Sequence, residues 1–227
     1  MRFFLKKTKL AWQTAWREKD FKMSFLLGMT FIILVVPLLP SFYGYIENRP
    51  GIVLNDWLLK NLQPKNVSIP VFIIVWFGVC LVSIRACTSP RIFLNYLFAY
   101  VVFIIIRSTC LLLVPLDPPV GLIELKDPLT DLFYGGSFIT KDLFFSGHTA
   151  TLVIMYLSLE KKEDKRICRM GGFAVAALLL VQHVHYTIDV VAAPFFAILC
   201  FNIGQKWLKK MADFTIRKPR PTEYKTR

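Results

Sequence analysis

The sequence holds only three histidines, His148, His183 and His185, and two of them sit where acid–base or nucleophilic chemistry is feasible. His185 precedes Asp189 by four residues, a spacing that brings the two side chains to about 5 to 6 Å at Cβ if one helix carries both. A carboxylate so placed holds one imidazole nitrogen and leaves the other unprotonated as base or nucleophile, and it stabilises the cation formed after attack. The same pair also reads as a helix-capping His beside an interfacial Asp, and spacing alone does not separate the two readings. His148 belongs to Ser146-Gly147-His148-Thr149, at the head of an apolar run. A helix start presents unpaired N–H groups and a positive dipole end, which suit phosphate. There Ser146 and Thr149 would add hydroxyl donors, Gly147 would let the backbone approach an oxyanion, and protonated His148 would donate to a leaving oxygen. An ordinary N-cap at Ser146 is the plainer alternative. His183-Val184-His185 is not a metal pair, because residues two apart on a helix point to different sides and no Cys or carboxylate cluster completes a ligand set; no metal and no other cofactor is expected.

These groups need a scaffold, and composition says which kind. The 227 residues are 55% hydrophobic, 15% aromatic and 19% charged, with a mean hydropathy of +0.51, well above the usual soluble domain. The formal charge of +13 lies between long apolar runs instead of across a polar face, which excludes a nucleic-acid binder. Five cysteines, four of them in or beside apolar stretches, give no disulfide framework. The N-terminus has no short apolar core ending in a small-residue cleavage site, so no removable signal peptide is expected.

Runs free of charge predict an all-α, polytopic membrane protein with six transmembrane helices. They are Met23–Ile46, Asn66–Ile84, Ile92–Leu116 interrupted by Arg107, Leu143–Leu159, and the 36-residue run Met170–Gln205, which contains Asp189. That last run would make about 54 Å of helix, too long for one crossing. It is expected to fold back at Gln182, His183, His185, Tyr186 and Thr187. Lys and Arg then fall mostly on one side: seven in 1–22, two at Arg85 and Arg91, five in 161–169 and eight in 206–227. Both termini are therefore expected in the cytoplasm, with the 117–142 segment and all three histidines at the outer face. Residues 1–22 read as a basic amphipathic segment and chiefly a positive-inside anchor, 23–207 as the six-helix domain, and 208–227 as a basic tail. Arg107 inside its helix clamps phosphate oxygens, snorkels to the interface, or pairs with Asp142 or Asp189, the phosphate role slightly ahead. The 117–142 segment reads as a lid or a re-entrant half-helix.

Residues 142–149, Asp-Leu-Phe-Phe-Ser-Gly-His-Thr, and 185–190, His-Tyr-Thr-Ile-Asp-Val, resemble the two signature motifs of the sphingomyelin synthase family, lipid phosphotransferases with a PAP2-type C-terminal region. The short length is similar to that of bacterial members. The resemblance covers roughly Arg107 to Phe201. It implies a multi-pass enzyme, in a bacterial inner membrane if the source is bacterial, that moves a phosphohead group from a glycerophospholipid donor to a ceramide-like acceptor without a cofactor. It further implies His185 as nucleophile, Asp189 as its orienting partner and His148 as acid. Ser146, Gly147, Thr149, Asp142, Arg107 and Tyr186 would bind substrate. The family's Arg–Thr and Pro-x-Pro motif is matched only loosely, by Arg107, Thr109 and Pro115–Pro118, and an Asn55-Asp56 pair stands in the first loop without a clear place in the pattern. Membrane lipid phosphatases of the same superfamily carry an Arg six residues before the second His and a Lys-x6-Arg-Pro motif. Here Leu179 stands at the first position and the second motif does not occur, which favours transfer over hydrolysis. A transporter or scaffold is the non-enzymatic alternative, disfavoured because the charges gather at one face and no internal repeat appears.

Overall fold

The computed structural model describes residues 2–125 and 139–217, with the side chains of 2–7 and 212–217 left aside. The described residues form helices only, joined by loops with a single isolated bridge between Ile52 and Leu116. In chain order these are α1 (Arg2–Ala15), α2 (Lys19–Val35), a 3-10 turn (Val36–Leu38), α3 (Leu39–Asn48), α4 (Trp57–Lys60), α5 (Ser68–Thr88), α6 (Pro90–Leu113), α7 (Gly147–Ser158), α8 (Lys162–Val181) and α9 (Thr187–Arg217). Half of the stretch read as a lid, 126–138, lies outside the described residues, as do 218–227 of the basic tail. The boundary expected at 208 falls inside α9.

Four helical stretches are long and apolar enough to cross a membrane: Lys19–Asn48, Ser68–Thr88, Pro90–Leu113 and Thr187–Met211. Their outer surfaces are apolar, with Ile33, Leu34, Ile69, Ile73, Phe77, Leu113 and Phe195 all exposed. A water-soluble fold does not present such continuous apolar faces, so this is a multi-pass membrane protein. The two remaining expected crossings depart from that pattern, one in length and the other in polarity. α7 has 12 residues, about 18 Å against a hydrocarbon core of about 30 Å. It starts only at Gly147 because the preceding backbone bonds elsewhere: the Asp142 carbonyl accepts from Arg107 and the Ser146 N–H donates to the Asp189 carbonyl. α8 carries Glu163 and Asp164 in its first turn.

Two buried clusters divide the bundle. Val71, Phe72, Val82, Leu152, Met155, Val175 and Leu179 join α5, α7 and α8. Ala99, Val102, Phe103, Ala150, Ile154, Ala193, Ala197 and Cys200 join α6, α7 and α9. α9 packs most extensively on α6, and Gly204 sets how close they come: a Cβ there would lie 2.9 Å from the Ala99 nitrogen and the Phe98 carbonyl carbon. At the end away from the histidines, Arg85 grips Asp164 through Nε at 2.6 Å and Nη2 at 3.1 Å, joining the end of α5 to the start of α8. At the same end the Trp12 indole N–H donates to the Cys87 carbonyl, and its ring packs edge-on against Phe21 and Phe93, so α1 rests on the bundle.

The long run from Met170 is broken where the sequence indicated, and the break is closed chemically. His183 takes a left-handed backbone (φ 56°) just past α8. Its N–H donates to the Leu180 carbonyl and that of Val184 to the Leu179 carbonyl, the paired bonds that end a helix at a left-handed residue, usually glycine. The His183 ring supports this strained position through Nδ1, 2.9 Å from the Val120 carbonyl. Gln182, fully buried, accepts from the Val67 N–H and donates to Ser68 and the carbonyls of Ile123 and Glu124, tying two other segments to the turn.

Replacing Gly204 with Ala is expected to push α9 off α6 and lower stability by about 1–3 kcal/mol. A thermal melt in detergent, with Gly44→Ala as comparison because nothing lies within 4 Å of a Cβ at Gly44, measures the difference.

Candidate active site

The residues singled out in the sequence come together where the starts of α7 and α9 meet α6. The join between the two helix starts is one backbone hydrogen bond, from Ser146 N–H to the Asp189 carbonyl at 3.0 Å. It carries the Ser146–Thr149 segment to the base of α9 inside a buried setting: Ser146, Thr149, His185 and Asp189 are all buried. The Ser146 hydroxyl lies 3.1 Å from that of Thr149, so these two groups pair with each other and leave the first N–H groups of α7 uncapped by the Ser146 side chain.

His185 and Asp189 meet, though not along a shared helix. α9 begins at Thr187, two residues after His185, so the condition that one helix carries both residues is not met. The reason is the first turn itself. Asp189, third in the helix, reaches back so that its Oδ2 accepts the Tyr186 N–H at 3.0 Å, half of a capping box. The same oxygen stands 3.4 Å from His185 Nδ1, an approach without hydrogen-bond geometry, so Nδ1 has no hydrogen-bond partner among the described residues. Asp189 Oδ1 has no partner among the described residues.

Arg107 is buried on α6 and pairs with Asp142 across 2.7 Å. Of the two partners expected for it, Asp142 is the one used. Its guanidinium also lies over the Phe145 ring, 5.7 Å from the centroid, and a Cβ on Gly147 would come within 3.1 Å of its Cζ. Glycine at the second position of Ser-Gly-His-Thr is therefore what lets a planar cation sit against the start of α7. Arg107, Asp142, Gly147 and His148 share one wall of a cavity of about 560 Å³. Its deeper walls are Val75, Trp76 and Val79 of α5, Tyr96, Tyr100 and Phe103 of α6, and Ile32 of α2. One end is thus charged and the rest largely apolar and aromatic, a shape that accepts an amphiphile with its polar head at the Arg107 end. His185 and Asp189 lie behind this wall, one hydrogen bond from it through Ser146, and do not line it.

Tyr186 does not line the cavity either. Its hydroxyl donates to the Asp117 carbonyl at 2.8 Å and accepts the Leu54 N–H at 3.1 Å. Burial, partly offset by the Leu54 N–H and reinforced by Asp189, Asp117 and Asp56, raises its pKa, so it stays a neutral tether. His183, at the same end, is a turn residue. The described residues contain no group of three or more metal-ligating side chains.

Three residues that sequence reasoning did not assign carry the frame. Glu47, at the end of α3, accepts from the Thr140 hydroxyl at 2.6 Å and from the N–H groups of Thr140 and Lys141, fixing the strand of chain that delivers Asp142. Lys141 in turn bridges Asp117 at 2.8 Å and the Arg49 carbonyl. Asp56 accepts from Thr187 at the start of α9 and from Leu58 and Leu59. Burial raises its pKa, but these hydrogen bonds outweigh burial and hold the carboxyl below its ordinary value. Beyond the unplaced Asn55-Asp56 pair, the sequence signal for Asp56 is its place before an apolar tripeptide, which marks an N-cap.

Against known proteins, residues 141–206 match the family described as PAP2 superfamily C-terminal. The chain is 37% identical over 65 residues to the human protein named phosphatidylcholine:ceramide cholinephosphotransferase 2 (26% of this chain, 18% of that one). It is 35% identical over 65 residues to the protein of the same name from Macaca fascicularis, with the same coverage of each chain. The matched stretch thus spans under a fifth of the relatives' length. No solved structure matches.

Two outcomes test the frame. Asp142→Ala leaves Arg107 buried without its carboxylate and is expected to cost roughly 3 kcal/mol, while Arg107→Met with Asp142→Leu recovers most of the loss; denaturation in detergent compares them. Because the Asp56 pKa is depressed in the fold, its stabilising contribution is complete at neutral pH and is lost as pH falls through and below the ordinary carboxylate range. Asp56→Asn should therefore flatten the acid limb of a stability–pH profile.

Proposed function

We propose, from the premise that residues 141–206 are a sphingomyelin synthase-like stretch of PAP2 type, that the protein is a lipid head-group phosphotransferase. It moves a phosphohead group from a glycerophospholipid to the hydroxyl of a ceramide-like lipid alcohol and releases diacylglycerol. The observation that carries the reading is the junction of Ser146 N–H with the Asp189 carbonyl, which sets the His185–Asp189 pair directly behind a cavity wall of Arg107, Gly147 and His148. A phosphodiester needs these parts: a cation and helix-start N–H groups for its oxygens, a nucleophile, and an acid for the leaving alcohol.

In this reading Asp189 holds His185 through Nδ1, and Nε2 attacks phosphorus. The N–P bond forms as the bond to the diacylglycerol oxygen breaks, and His148 gives that oxygen its proton. The acceptor hydroxyl then attacks the phosphohistidine, passing its proton to His148, and the N–P bond breaks. Arg107 and the first turn of α7 stabilise the phosphoryl oxygens in both displacements. Asp142 sets the direction of Arg107, and Ser146 and Thr149 shape the anion end. Tyr186 acts by anchoring the turn. His185 is 2% exposed, so the cycle includes an opening that lets phosphate reach its ring. The largely apolar cavity supports acyl chains lying along α2, α5 and α6.

The six helical segments and the distribution of Lys and Arg support six crossings with both termini in the cytoplasm and the site at the outer face.

The test is turnover by purified protein in liposomes with fluorescent ceramide and phosphatidylcholine, phosphatidylethanolamine or phosphatidylinositol. Head-grouped ceramide together with diacylglycerol is expected from the wild type and none from His185→Ala. Asp189→Asn and His148→Ala should each lose at least about 10²-fold in kcat. Water in place of the lipid alcohol would give phosphatase or phospholipase C-type products, and those without labelled ceramide would replace the transferase reading by the hydrolase one. No product with any donor, or full activity in His185→Ala, would end the mechanism.

A further inference from the structure

Asp56 lies outside the cavity, yet its carboxylate accepts four hydrogen bonds near the histidine pair. Oδ2 takes the Thr187 N–H at 2.6 Å, and Oδ1 takes the Thr187 hydroxyl at 3.0 Å, the Leu58 N–H at 3.0 Å and the Leu59 N–H at 3.2 Å. Two donors come from its own short helix α4 and two from a residue 131 positions away. Thr187 is the first residue of α9, where backbone N–H groups have no helical acceptor. Its two neighbours along the chain do the chemical positioning. Tyr186, just before it, gives its N–H to Asp189 Oδ2, and Asp189, two residues on, faces His185 with the same oxygen. A second tie runs in parallel, from Leu54 N–H to the Tyr186 hydroxyl. The start of α9 is therefore held from the 54–56 loop at two successive residues.

We infer that Asp56 is a positioning residue for the His185–Asp189 pair: by fixing Thr187 it sets the direction in which the Asp189 carboxylate meets the imidazole. The inference rests on the reading of that pair as the reacting one. An N-cap for α4 alone would need only the bonds to Leu58 and Leu59. The Thr187 bonds add nothing to α4, and the one at 2.6 Å is the shortest of the set, as a charged acceptor at an open helix start favours. An amide at position 56 keeps one acceptor oxygen but turns the other into a donor facing either Thr187 N–H or the α4 group, so the carboxylate cannot be replaced by its isostere.

The experiment pairs kinetics with nitrogen NMR of ring-labelled histidine in detergent-solubilised protein, the His185 signals being assigned by their absence in His185→Ala. Asp56→Asn is expected to shift the His185 ring nitrogens and lower kcat about 10²-fold, with KM for the lipid donor nearly unchanged, as a displacement near 1 Å at the reacting pair does. Thr187→Val, which removes one of the four bonds and leaves the fold intact, should move both readouts the same way by less. Asn61→Ala is the control: it removes the bond from Asn61 Nδ2 to the Trp57 carbonyl and loosens α4 without touching Thr187. Unchanged His185 signals and kcat in Asp56→Asn and Thr187→Val would overturn the inference, and so would an equal loss in Asn61→Ala, which would route the effect through α4. If Asp56→Asn does not fold, Thr187→Val decides alone. Should the wild type transfer nothing, the functional reading fails while the His185 signals still decide the positioning role.

Discussion

A helix that starts inside a membrane bundle must find partners for N–H groups that no preceding turn can supply, and the structure around His185 is built on meeting that demand twice at the same place. α7 and α9 both begin at this end. The free N–H of Ser146 is met by the carbonyl of Asp189, that of Tyr186 by the Asp189 carboxylate and that of Thr187 by Asp56. Because Asp189 serves both helix starts, once by backbone and once by side chain, the groups that could do chemistry are held in common by groups that had to be there for the backbone alone. Leaving such donors bare in an apolar interior would cost free energy at each one.

Charge is confined in the same economical way. Arg107 is buried but stacked over Phe145 and matched by Asp142, and Asp142 is delivered by a segment that Glu47 holds through two N–H groups and a hydroxyl. Lys141, next to Asp142, pairs with Asp117. The apolar body of the cavity lies deeper, between α2, α5 and α6. A polar end and an apolar shaft separated along the helices follow from where ionisable groups can be kept at tolerable cost. The opposite end of the bundle is organised by a plain bidentate ion pair between Arg85 and Asp164 and by aromatic packing of Trp12, with none of this crowding.

Apolar runs and the scarcity of charge settle an all-α membrane protein from the sequence, because a chain that must satisfy its backbone in lipid has few options. The break after Val181 is equally legible, since no single helix of 36 residues fits a bilayer. Ser146-Gly147-His148-Thr149 and His185-Tyr186-Thr187-Ile188-Asp189 are readable as a pair by type and spacing, and Arg107 by its isolation within an apolar helix. Tertiary structure decided the rest. α9 starts after His185 because Asp189 caps it, Arg107 chose Asp142 because the 139–142 segment is pinned by Glu47, and Tyr186 spends its hydroxyl on two loops. Asp56 illustrates the difference: its partners Leu58 and Leu59 are adjacent and foreseeable, whereas Thr187 is 131 residues away. Periodicity and spacing report what neighbours along the chain can do. Which distant donor a carboxylate will meet depends on how the helices pack, and packing is a property of the whole fold.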